Sequence, residues 1–134
     1  MRPVSRILPK ENRRRLNKLD VFRKEIMAYF TTSADEGFEE REETVKAQQA
    51  RLQINRALDE IHKIISAAGV STVIGYAPPP ITGGLAGNID VLLNVFNIQR
   101  YGISPNTILD QIDRAIGIYE NNKRAATLRW SERH

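Results

Sequence analysis

Residues 47–68, AQQARLQINRALDEIHKIISAA, decide the fold. Within them Ala47, Ala50, Ile54, Ala57, Ile61, Ile64 and Ala68 recur at spacings of three and four, the period that returns side chains to one face of an α-helix. Leu58 and Ile65 widen the stripe. Alanine knobs between isoleucines allow a neighbouring helix to come close. The stripe therefore predicts one long helix, from residue 34 or 38 to Ala68, packed against another within the chain or in a second copy. Thirty residues of helix reach about 45 Å. Gly69 stands where a left-handed C-cap belongs, with Val70 placed to fold back on the last turn.

Upstream, Leu16, Leu19, Phe22, Ile26 and Tyr29 or Phe30 mark a first helix over about residues 10–30. Residues 31–37, TTSADEG, break its pattern, and Ser33 followed by Glu36 reads as a capping box. Residues 10–68 are thus expected to form a long antiparallel helical hairpin.

Downstream, residues 69–88, GVSTVIGYAPPPITGGLAGN, are apolar yet rich in helix breakers. Val70, Thr72, Ile74 and Tyr76 alternate as a short strand does, and Pro78, Pro79 and Pro80 favour polyproline II. The uncharged connector must lie on something. Asn88 is read as the cap of a third helix over Ile89–Tyr101, ended by Gly102. Ser104-Pro105 opens a fourth, carrying Ile108, Leu109, Ile112, Ala115, Ile116 and Tyr119, which fades near Asn121 or runs on to Trp130. The expected fold class is all-α. It comprises a basic tail (1–9), the long hairpin (10–68), the connector (69–88), a second, shorter helical pair (89–130) and a short end (131–134), in one domain.

The 134 residues carry a net charge of +4, 41% hydrophobic and 27% charged side chains, and no cysteine. Disulfides and cysteine-ligated metals are excluded. Charge is arranged in blocks. Residues 1–20 hold seven basic side chains against Glu11 and Asp20, residues 34–43 hold six acids against Arg41, and residues 121–134 are basic again. No stretch of about 20 apolar residues is available to span a bilayer, and the N-terminus lacks a signal-peptide core. A cytoplasmic protein is expected.

Chemistry finds little footing. Asp59 and His62 share a helical face, but a bundle metal site needs a second such pair, and only His134 remains. Asp110, Asp113 and Glu120 could pair as acid and base, yet Asp110 and Asp90 also suit helix starts, and Arg114 flanks Asp113. Gly83, Gly84 and Gly87 lack the Lys-Ser/Thr of a phosphate loop. No catalytic residue, metal, cofactor or small-molecule substrate is expected.

The function expected is a non-catalytic protein–protein interaction or assembly subunit. Its contacts are Ile54, Ile61, Ile64, Tyr76, Pro78, Pro79, Pro80 and Ile81, meeting a protein partner or a second copy. The alternative is nucleic-acid binding through Arg6, Lys10, Arg13, Arg14, Arg15 and Lys18, although Arg13–Arg15 spread over about 200° of a helix.

Overall fold

The computed structural model describes residues 1–32, 44–76 and 87–133, with the backbone alone for 32 and 126–133. Three helices carry the fold: α1 (Pro9–Thr32), α2 (Val45–Ala67) and α3 (Pro105–Arg133). Between α2 and α3 the strands β1 (Val73–Tyr76) and β2 (Gly87–Asp90) pair antiparallel, with Ile74 opposite Ile89. Short 3-10 turns cover Val4–Arg6 and Ile98–Tyr101.

Side-chain contacts set the helix directions. Arg14 and Lys18, early in α1, reach Glu60, late in α2. Asn12 meets Asn122 and Arg23 meets Asp113, in reverse order along α3. α1 therefore runs antiparallel to both neighbours, and α2 and α3 run parallel to each other. A parallel pair cannot be closed by a tight turn, so the chain has to be carried back along the bundle between α2 and α3.

The Ala/Ile ridge is buried as its spacing requires: Ala47, Ala50, Ile54, Ile61, Ile64 and Ile65 join Leu19, Phe22, Ile26 and Tyr29 of α1 in one core. Ile108, Ile112, Ala115 and Tyr119 of α3 complete it. Each fully buried isoleucine contributes about 1.5–3 kcal/mol. Local signals hold at several boundaries. Gly69 (φ +80°) closes α2 in a Schellman motif, with the Gly69 and Val70 amides donating to the Ser66 and Ile65 carbonyls. Gly102 (φ +73°) ends the second 3-10 turn. Ser104 opens α3, its Oγ accepting from the Asn106 amide at 3.2 Å.

Three expectations are corrected. α2 begins at Val45, capped by Thr44, whose hydroxyl accepts from the Ala47 amide at 3.1 Å; the Ser33–Glu36 box lies outside the described residues. Asn88 caps nothing, because Gly87–Asp90 is a strand. The third helix is absent: residues 91–101 form tight turns and a 3-10 segment, so no second helical pair exists. The physical reason is competition for backbone partners. Asp90 Oδ1 takes the Leu93 amide, the Asp90 carbonyl takes both the Asn94 amide and its Nδ2, and the bonds that follow reach back only three residues. Short polar side chains of this kind divert the backbone from a regular helix.

At one end the core turns polar. Arg15 is 2% exposed. Its Nη1 donates to the Arg2 carbonyl at 2.9 Å and to the Tyr119 hydroxyl at 3.1 Å, and its Nε to Glu11 Oε1 at 3.0 Å. The Tyr119 hydroxyl in turn donates to the Ile64 carbonyl at 2.7 Å, one of the last carbonyls of α2, which lack an intrahelical partner. Asn12 Nδ2 donates to the Tyr119 carbonyl, and Asn122 Nδ2 to Asn12 Oδ1. One hydroxyl thus ties α1, α2 and α3 together. Tyr119→Phe strands a buried guanidinium N–H and a helix-end carbonyl, and is expected to cost about 1–3 kcal/mol. In urea melts this appears as a lower midpoint at unchanged slope.

Candidate functional site

Four of the residues expected to meet a partner fall among the described residues. Ile54, Ile61 and Ile64 are sealed in the chain's own core. The ridge is covered by α1 of the same chain, and Ile61 also lies beneath the groove described below. Tyr76 ends β1, its ring seated over Gly87 and packed edge-on against Tyr101 at 5.1 Å. Pro78, Pro79, Pro80 and Ile81 lie outside the described residues.

The basic segment divides. Arg15 is 2% exposed and is bonded into the buried layer. Arg14 is held by Glu11 (2.7 Å) and Glu60 (2.6 Å), and Lys18 by Glu60 (3.3 Å). Hydrogen bonds from Arg14 dominate the lowering of the Glu60 carboxyl's pKa, with Lys18 adding to it. Arg6, Lys10 and Arg13 are exposed and form no ion pair among the described residues.

Of the carboxylates read as possible acid–base partners, Asp113 is placed by an ion pair, and Asp90, read as suiting a helix start, by hydrogen bonds. Asp113 forms a two-pronged pair with Arg23 (2.7 and 3.2 Å), which staples α1 to α3. Asp90 meets His62 and Thr72. The Thr72 hydroxyl donates to Asp90 Oδ2 at 2.8 Å, leaving its oxygen to accept from His62 Nε2 at 3.2 Å; the same Nε2 lies 2.8 Å from Asp90 Oδ2. A nucleophile relay needs the two ring nitrogens on different partners. Here one nitrogen serves both, and Thr72 is buried. The trio joins α2 to both strands. Burial pushes the Asp90 carboxyl up, but the Leu93 amide, His62 and Thr72 together outweigh it and hold the pKa below the usual value. Among the described residues no three His, Asp or Glu side chains gather as a metal site, and no helix is long and apolar enough to cross a membrane.

What the structure assembles instead is a groove of about 530 Å³ between α1 and α2. Phe22, Ala57 and Ile61 floor it, Val21 stands on its rim at 60% exposure, and Glu25 and Arg56 face it. Val21 and Arg23 lie about 200° apart on α1, so the groove opens on the flank away from the Arg23–Asp113 staple. Spacing alone missed Val21, an apolar residue off the buried stripe, because only the packing of α2 shows what it overhangs. Comparison with protein-family models, with curated proteins and with solved structures finds no match for this chain.

Two outcomes follow. With four cations left in the segment, Arg2, Arg6, Lys10 and Arg13, nucleic-acid affinity carried by them has a log–log salt slope no steeper than about −3.6, readable by fluorescence anisotropy. Hydrogen bonds from Arg14, opposed by burial and joined by Arg15, lower the Glu11 pKa from 4.5 to about 2. A depressed carboxylate stabilises the fold fully above its ordinary value and loses that contribution as pH falls through the folded one. Melting temperature is therefore expected to drop on acidification from pH 4.5 towards 2, and Glu11→Gln to flatten part of the drop.

Proposed function

We propose that this chain is a non-catalytic helical assembly subunit that associates with a second copy through the α1–α2 groove. The observation that carries the reading is Val21, 60% exposed above a floor of Phe22, Ala57 and Ile61. An apolar floor between two helices is suited to another helix, read by residues three and four apart. Across a two-fold axis one surface must complement itself. Glu25 on the α1 wall and Arg56 on the α2 wall are of opposite sign, and neither forms a salt bridge among the described residues. Turning one hairpin over the other brings each Glu25 towards the other copy's Arg56. Val21 then packs beside the axis, and four helices enclose what two leave open.

Light scattering after chromatography tests this. The expected mass is near twice 15.2 kDa, and Val21→Glu is expected to return it to the monomer value without lowering the melting temperature, since Val21 lies outside the core. A wild-type mass of 15.2 kDa at every concentration overturns the proposal.

A further inference from the structure

A second concavity, of about 730 Å³, lies between the approach to β1 and one stripe of α3. Its α3 wall runs from Thr107 through Asp110, Gln111, Arg114 and Gly117 to Asn121, a rise of about 21 Å. That length matches about six residues of extended chain. A single small metabolite would leave most of it empty.

The opposite wall is the edge of a strand. Val73 and Ile74 point to opposite faces of the hairpin, yet both line the trough, so the backbone between them borders it. The Val91 amide donates to the Thr72 carbonyl. This bond puts Thr72, Ile74 and Tyr76 in the pairs bonded to β2 and turns the N–H and C=O of Val73 and Gly75 outward. At Val73 the Ser71 hydroxyl holds these groups loosely, accepting from the amide at 3.2 Å and donating to the carbonyl at 3.4 Å.

Three observations on α3 point to an occupant. Gln111 is 5% exposed, and its carboxamide oxygen is buried with no hydrogen-bond partner; leaving such a group unpaired is costly unless a ligand completes it. A carboxamide offers one acceptor and one donor face, the complement of a peptide unit. Asp110 and Arg114 stand exposed on the rim and form no ion pair among the described residues. They are one helical turn, about 6 Å, apart along the axis, close to the spacing of residues i and i+2 on one face of a strand. Gly117 sits mid-helix, where glycine is unfavourable, and a Cβ there would meet nothing within 4 Å; its absence widens the floor.

We infer that this trough binds an extended peptide of about six residues, added as a third strand to the outer edge of β1. A main-chain amide of the peptide pairs with Gln111. A basic and an acidic side chain two residues apart meet Asp110 and Arg114. This surface is separate from the α1–α2 groove and does not depend on it.

A random heptapeptide phage library panned against the full chain supplies the probe, and the enriched peptide is resynthesised with a fluorescein label for polarisation binding. Gly117→Leu fills the trough while improving helix propensity, so binding is expected to weaken about tenfold or more with no loss of melting temperature. Exchanging the rim charges, Asp110→Lys with Arg114→Glu, is expected to select peptides of reversed charge order. N-methylation of alternate peptide amides is expected to abolish binding in one phase and spare it in the other. No enriched sequence, equal affinity for Gly117→Leu, or indifference to N-methylation phase overturns the inference.

Discussion

α1 must satisfy two neighbours with one buried stripe, and the rest of the architecture answers to that. Leu19, Phe22, Ile26 and Tyr29 are covered by α2 on one side and α3 on the other. Because α1 opposes both in direction, the chain has to be carried back before α3 can start. The strand pair and the tight turns of residues 91–101 serve that return, and their apolar side chains (Ile89, Val91, Leu92, Val95, Ile98) are buried in the core. At its other end the stripe meets Arg15. A guanidinium loses several kcal/mol on leaving water unless every donor finds an acceptor. Glu11, the Arg2 carbonyl and Tyr119 accept three of its N–H groups, and the bond to Tyr119 forms only when α3 stands in this register against α1. The polar layer acts as a lock on alignment, whereas the isoleucines supply the bulk of the burial.

This economy decides which surfaces remain for partners. The Ala/Ile ridge is consumed internally, whereas Val21 of α1 overhangs the groove and stays exposed. The β1–α3 trough has a different chemistry: exposed charges, an orphan carboxamide and a strand edge. The two surfaces share no lining residue.

Electrostatics are redistributed by folding in the same way. Seven basic side chains in the first twenty residues suggest an anion-seeking tail. In the folded chain Arg14 and Lys18 answer to Glu60, and Arg15 to the buried layer. A cationic block in sequence is thus divided between stabilising α1 on α2, the buried layer, and four exposed cations, Arg2, Arg6, Lys10 and Arg13.

Short-range features were legible in the sequence because their causes are short-range. Gly69 ends a helix through its own φ, Ser104-Pro105 starts one, and the three-four spacing from Ala47 to Ala68 specifies a buried ridge. Arg15 was within reach as well: continuing the spacing backward from Leu19 lands on Arg15 and then Asn12, but apolarity was used as the test of burial, and both are polar. Residues 89–101 misled because their helical spacing is real while the Asp90 and Asn94 side chains bond the local backbone, with Asp90 anchored by Thr72 and His62, which lie 18 and 28 residues away. The groove and the trough were invisible for the most general reason. Each is the gap between elements distant in the chain, and a gap has no residue pattern until tertiary packing sets its two walls side by side.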